Sequence, residues 1–262
     1  PLVKVIQDQG VIPGIKVDTG GKPLAGSSGE QVTEGLDGLR DRLAEYVELG
    51  ARFTKWRGIY SIGVGMPSRY CIEVNAHALA RFAALSQEAG LVPIIEPEIL
   101  MDGDHNISEC FDATEATLRE VYYQLGHQRV NLEGTLLKPN MVLSGKDASN
   151  RAEPEEVAEK TVACLKRTVP ASVPGMVFLS GGQSDEEATM NLNAINQYAA
   201  SVGVPWQLSF SYGRGLQAAP LKIWRGDANN AEQTQKAFRQ RAYVTAVARQ
   251  GKYSPGIEEK QA

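Results

Sequence analysis

The stretch Asn131-Leu132-Glu133-Gly134-Thr135-Leu136-Leu137-Lys138-Pro139-Asn140 reads as a buried strand that ends in a lysine. Apolar and small residues run up to Lys138, and Pro139, with no N–H to give to a ladder, stops the strand. An ammonium at the mouth of a buried strand loses solvation, which lowers its pKa. Part of its population is then the neutral amine, the form that attacks a carbonyl carbon to make a Schiff base. Taken alone, the stretch reads more readily as a strand-end lysine that keeps its head in water. The rest of the chain changes that balance.

Working outward, the same alternation recurs on both sides. Upstream, strands are expected at 11–18, 52–59 and 91–99, with helices over 34–49, 69–89 and 112–125. A glycine-rich loop is expected over 19–29, and Asp102-Gly103-Asp104 makes a turn. Downstream, strands at 176–180 and 206–212 alternate with helices at 155–167, 185–200, 216–224 and 231–249, and 250–262 reads as a frayed tail. This gives six strands separated by helices, an α/β protein with a parallel sheet. We expect one domain over 1–251 and a C-terminal tail over 252–262.

An open doubly wound sheet and a (β/α)8 barrel both fit that pattern. No G-x-G-x-x-G follows the first strand, which weakens a dinucleotide-binding sheet. Polar residues cluster near the C-terminal ends of five strands: Lys16 and Asp18, Lys55 and Arg57, Glu96 and Glu98, Lys138, and Ser180. Members of a pair lie two apart, so each pair shares one face of its strand. Any single pair reads equally well as a buried salt bridge. Four charged strands converging on one rim favour a barrel, whose catalytic groups come from those ends.

Composition sets the class. The chain has 262 residues, 42% hydrophobic and 22% charged, which suits one globular domain with a sizeable core. A net charge of -4 with no basic run argues against nucleic acid as a partner. No apolar run is long enough for a membrane span, and the first residues lack the features of a signal peptide. Cys71, Cys110 and Cys164 are dispersed, which suggests reduced thiols and a cytoplasmic location. The histidines are scattered too, so no metal site is expected.

Two later turns offer an anion site. Ser180-Gly181-Gly182-Gln183-Ser184 leaves one strand and opens a helix, so its N–H groups and the helix dipole suit a phosphate. Gly213-Arg214-Gly215 does the same after the last strand, with a guanidinium added. Together the residues describe a Schiff-base enzyme for a phosphorylated carbonyl compound, needing no metal or other cofactor. Lys138 forms the imine, and Lys55, if near, repels its proton. Glu96 carries protons for carbinolamine dehydration and bond cleavage. Glu98 pairs with a lysine and orients it.

The chain resembles the class I, metal-independent fructose-bisphosphate aldolases. The resemblance rests on GIKVD at 14–18, QVTEGLDG at 31–38, KWR at 55–57, EPEIL at 96–100 with DGDH at 102–105, LEGTLLKPNM at 132–141, FLSGGQS at 178–184, NLNAIN at 191–196 and FSYGR at 210–214. These run in the family's order over nearly the whole chain. The resemblance implies a (β/α)8 barrel, commonly a homotetramer, that cleaves fructose 1,6-bisphosphate reversibly in glycolysis and gluconeogenesis. It implies Lys138 as the imine lysine, Glu96 as the main proton-transfer carboxylate, and Lys55 and Glu98 as their neighbours. It implies Lys16 and Arg57 as contacts to the far phosphate, and Ser180, Gly181 and Arg214 as the cradle of the nearer one.

Two departures accompany the resemblance. Six strands are evident where the barrel has eight, and the match begins at what resembles the family's third strand. The family's first strand carries an aspartate acting at the C4 hydroxyl, and no residue here takes that role. The mobile tail of the family often ends in a tyrosine, whereas this chain ends in Glu258-Glu259-Lys260-Gln261-Ala262. We therefore expect an N-terminally incomplete barrel, with a non-catalytic sugar-phosphate-binding or assembly remnant as the alternative. Another Schiff-base barrel, a transaldolase or a deoxyribose-phosphate aldolase, fits the FLSGGQS and LEGTLLKPNM stretches poorly.

Overall fold

The computed structural model describes residues 2–259. Its framework is a six-stranded parallel sheet. The strands are β1 (Gly14–Lys16), β4 (Phe53–Tyr60), β5 (Val92–Ile99), β6 (Leu136–Leu137), β7 (Gly175–Phe178) and β8 (Gln207–Phe210). Their spatial order is β1-β4-β5-β6-β7-β8, the same as their chain order. A doubly wound sheet reverses its order at a switch point. This sheet never reverses, which is the progression of a barrel wall.

Helices fill the crossovers that parallel pairing demands. They are α2 (Leu39–Glu48), α3 (Arg69–Glu88), α4 (Ile107–His127), α5 (Pro154–Thr168), α6 (Asp185–Val202), α7 (Arg214–Trp224) and α8 (Ala231–Arg249). Helix α4 starts earlier than the expected 112. Asn106 accepts from the N–H groups of Ser108 and Glu109 while Glu109 reaches back to the Asn106 N–H, a capping box that adds a first turn.

Strand β4 shows how the sheet separates core from site. Its residues alternate strictly between buried and half-buried. Thr54 and Trp56 are buried, and the Trp56 ring stacks on Phe82 of α3, with centroids 5.7 Å apart. Lys55 and Arg57 therefore face the other way, as their two-residue spacing requires. One core cluster lies between β1, β4, β5 and helices α2 and α3; the larger one packs α4, α5, α6 and α8.

Three local expectations change and one further element is present. First, 19–29 is no open loop: β2 (Gly20–Pro23) pairs antiparallel with β3 (Gln31–Glu34) in a separate hairpin. Second, Leu2–Asp8 forms a short helix, α1, carrying an exposed Lys4–Asp8 pair. Third, the lysine strand is shorter than it reads. Leu132–Gly134 is a 3-10 turn capped by Asn131, and only Leu136 and Leu137 join the ladder as strand. The Gln87 side chain of α3 causes this. It donates to the carbonyl oxygens of Asn131 and Gly134 and accepts from the Asn131 N–H, so 131–134 bonds to a helix instead of a strand.

Fourth, the segment after Gln250 is anchored, not frayed. Tyr253 is buried, its N–H donates to Asn193 Oδ1, and its hydroxyl donates to Glu258. Residues 256–259 form α9 (Gly256–Glu259), and Arg241 of α8 holds Glu258 at 3.0 Å. The end of the tail, Lys260-Gln261-Ala262, lies outside the described residues, as does Pro1.

Candidate active site

Lys138 sits one residue beyond β6, and its N–H donates to the Ile95 carbonyl of β5 at 2.7 Å. The ladder thus carries its backbone one step past the strand, and Pro139 ends it. Its Nζ lies 3.0 Å from Glu96 Oε1, while Lys55 Nζ lies 2.7 Å from Glu96 Oε2. One carboxylate, 3% exposed, therefore holds two ammonium groups from neighbouring strands. The three residues come together because β4, β5 and β6 are adjacent. Lys55 stands two positions before Arg57, the β4 partner of Glu96 in register. Burying a carboxylate this deeply is costly unless it is paired.

Glu98 does not pair with a lysine. It accepts from Arg57 Nε at 2.5 Å. Burial works against the Arg57 charge, but Glu98, helped by Glu96 and Asp18, holds the guanidinium protonated more firmly than usual. The register explains the change of partner: Glu98 lies two positions beyond Glu96, which brings it to Arg57 and carries it past Lys55.

Lys16 Nζ meets Asp18 Oδ1 at 2.5 Å and donates to the Asp18 carbonyl oxygen at 3.0 Å. Asp18 also accepts from the Arg57 N–H at 3.2 Å and the Gly20 N–H at 3.1 Å. Asp18 thus ties the two cations expected at a far phosphate to one scaffold. The sequence flagged it only as a strand-end residue. The cluster of Lys16, Lys55, Arg57 and Lys138 with Asp18, Glu96 and Glu98 carries one cation more than it has carboxylates, and its carboxylates are buried while Lys16 is exposed. An anionic ligand is favoured there.

Two turns end the next strands beside Lys138. The Leu179 N–H donates to the Pro139 carbonyl at 3.2 Å, so Ser180 begins its turn next to the lysine's own loop. Gly181 and Gly182 have φ of 60° and 92°, left-handed values that suit glycine. A Cβ on Gly181 would come 2.9 Å from Leu179 Cδ1. The backbone N–H groups of Ser180, Gly181 and Gly182 take no partner among the described residues.

The helix dipole expected behind this turn is already spent. Ser184 accepts from the Glu187 N–H, and Asp185, Glu186 and Glu187 fill the first turn of α6. An anion there meets the N–H groups of the glycine turn, while the helix end repels it. Helix α7 differs. Gly213 at its N-cap supplies no side-chain cap, and no acid lies in the first turn. Arg214 is exposed and makes no hydrogen bond or ion pair with a described residue. Its charge is felt at Asp102, whose carboxyl is held low first by the Lys146 hydrogen bond and further by Arg214. Ser180 and Gly181 thus lie on one strand exit and Arg214 on the next, with no hydrogen bond between them among the described residues.

Asn140 is a further residue that the sequence did not single out. It is buried behind Lys138, accepts from the Ile99 N–H, and donates to Thr114 and the Met141 carbonyl. It pins the lysine loop to the end of β5. Its signal was available only as an amide beside a proline at a strand exit.

This arrangement can be set against known proteins. The family model of the class I, glycolytic fructose-bisphosphate aldolases matches residues 1–262. A probable class 1 fructose-bisphosphate aldolase of Xanthomonas campestris is 57% identical over 254 residues, which cover 97% of this chain and 75% of that one. Cytosolic fructose-bisphosphate aldolase 4 of Arabidopsis thaliana is 54% identical, covering 96% of this chain and 64% of its own. A solved structure of the Plasmodium falciparum fructose-bisphosphate aldolase, in complex with TRAP and a small-molecule inhibitor, superposes with a TM-score of 0.95. It is 45% identical and covers 98% of this chain and 74% of its own. The six sequentially ordered parallel strands are accordingly walls of a (β/α)8 barrel. On the family match, the relatives and the superposition together, this chain belongs to the class I fructose-bisphosphate aldolases.

Proposed function

We infer that the chain cleaves fructose 1,6-bisphosphate reversibly to dihydroxyacetone phosphate and glyceraldehyde 3-phosphate, through an imine on Lys138. The observation that carries this reading is Glu96, buried between Lys138 and Lys55 at hydrogen-bonding distance from both. Lys138 gives a proton to Glu96, and its amine attacks the ketose carbonyl carbon. Glu96 returns the proton to the carbinolamine oxygen, which leaves as water. The iminium then accepts electrons as the carbon–carbon bond beyond its neighbouring carbon breaks, leaving an enamine on Lys138. Glu96 takes up the hydroxyl proton released with the aldehyde. Glu96 gives that proton to the enamine carbon, and water then hydrolyses the resulting imine, releasing dihydroxyacetone phosphate and freeing Lys138.

The near phosphate is assigned to the N–H groups of Ser180 and Gly181 with Arg214, and the far phosphate to Lys16 and Arg57. Both far cations hold carboxylates in the structure, so a phosphate there competes with Asp18 and Glu98. We further assign a homotetramer on the family resemblance and a cytoplasmic location on the cytosolic relatives. No helix among the described residues is long and apolar enough to cross a membrane.

The test is a cleavage assay with fructose 1,6-bisphosphate in the presence of a chelator, following both triose phosphates. Equal amounts of the two, and loss of both in Lys138→Met, are expected. Binding of the sugar phosphate without product would favour the remnant reading.

A further inference from the structure

We propose that Gln183 and Asn191 are positioning residues that aim the Gly181 N–H into the phosphate cradle; this rests on the phosphate assignment above. Gln183 is 8% exposed and Asn191 3% exposed, and neither reaches the lysine cluster. Asn191, on α6, donates Nδ2 to Gln183 Oε1 at 2.7 Å. That contact fixes which end of the Gln183 amide faces which way. Gln183 Nε2 then donates to the Ser180 carbonyl at 2.9 Å, and the Gln183 backbone N–H donates to the same oxygen at 3.0 Å.

The consequence follows from the planarity of the peptide. In a trans peptide the carbonyl and the next N–H point in opposite directions. Pulling the Ser180 carbonyl into the buried relay drives the Gly181 N–H outward, toward the open side of the turn. The turn's own bond from the Gln183 N–H sets the same direction, and the relay reinforces it with a second, buried donor. Gly181 and Gly182 both have left-handed φ and no side chain, so this turn has more conformational freedom than any other pair of residues would give it. The relay supplies the order that the glycines withhold, and it does so before a ligand arrives. Preorganised donors bind an anion without the cost of aligning them.

Asn191→Asp gives a sharp test, because it changes the relay without touching the turn. A carboxylate at 191 cannot donate to Gln183, so the Gln183 amide turns its nitrogen to residue 191 and its oxygen to the Ser180 carbonyl. Gln183→Met removes the amide while keeping chain length. The assay traps the Lys138 imine with borohydride across a concentration series of dihydroxyacetone phosphate, and separately of dihydroxyacetone, which forms the same imine without a phosphate.

Both variants are expected to raise the half-saturating dihydroxyacetone phosphate concentration about tenfold and to leave that of dihydroxyacetone within about twofold. An equal shift with both ligands, or no shift with either, overturns the positioning role. If Gln183→Met does not fold, Asn191→Asp alone decides. Arg214→Ala separates the two layers of the reading. If it too leaves dihydroxyacetone phosphate unaffected, the phosphate assignment fails. If it shifts it while the relay variants do not, only the positioning role fails.

Discussion

Replacing Glu96 by glutamine keeps the shape of the side chain and removes its charge. Lys138 and Lys55 approach its two oxygens at 3.0 and 2.7 Å. At an effective dielectric of about 20, each contact has a gross Coulomb energy of roughly 6 kcal/mol. Desolvating the carboxylate offsets several kcal/mol of that total. The lysine side chains are 12% and 20% exposed, so water can partly solvate them once the carboxylate is gone. We therefore expect a net stability loss near the lower end for a broken buried pair, about 3 kcal/mol. For a chain this long that lowers Tm by roughly 6–12 °C, so the variant stays folded at 25 °C. Turnover should fall far more. Glutamine can neither take nor return a proton, and loss of a positioned proton carrier costs about 10²–10⁴ in kcat. Steady-state cleavage at 25 °C beside thermal unfolding separates the two effects. A folded Glu96→Gln protein with kcat within about threefold of the parent would refute the assigned role.

Three other perturbations probe neighbouring parts of the account. Burial, opposed by nearby Glu109 and Asp104, holds the His105 imidazole below its ordinary pKa. The unfolded chain binds that proton first, so stability should fall as pH drops below about 6.5, by up to about 1.4 kcal/mol per pH unit. Denaturation curves at several pH values should show His105→Gln lacking this slope, and parallel curves would contradict it. Burial first and the Glu30 charge second push the Cys71 thiol up to about 11, and burial with the Glu115 charge pushes Cys164 up to about 12. Iodoacetamide at pH 8 should leave both unmodified in the native protein and label them after denaturation; rapid native labelling is the contrary result. Gly181→Ala forces a side chain into left-handed backbone and against Leu179, which should cost about 1–3 kcal/mol in stability. Thermal unfolding checks it, and an unchanged Tm would show that the turn has another conformation available.

Much of the barrel was readable in the chain because parallel sheets announce themselves by alternation. The charged pairs at 16 and 18, 55 and 57, and 96 and 98 were readable for a related reason. Side chains two apart on a buried strand share a face, and charge there needs a partner. The identity of those partners was not readable. Glu98 meets Arg57 because of strand register, which residue spacing within one strand does not contain. The lysine strand is shorter than its sequence suggests because Gln87, on a distant helix, captures the backbone of 131–134. The tail is anchored for the same kind of reason, by distant partners: Tyr253 is held by Asn193, and Glu258 by Arg241. The dipole at α6 was a miss that local reading could have caught. Asp185, Glu186 and Glu187 directly follow the glycine turn, and they argue against an anion at that helix end.

The central claim is that Lys138 forms an imine beside Glu96, and it is tested most directly by covalent trapping. The protein is mixed with dihydroxyacetone phosphate, reduced with borohydride, digested, and mapped by mass. A single reduced adduct on the peptide carrying Lys138, absent in Lys138→Met, is the expected result. An adduct on Lys55 or Lys16 with Lys138 unmodified, or none in the folded protein, would contradict it.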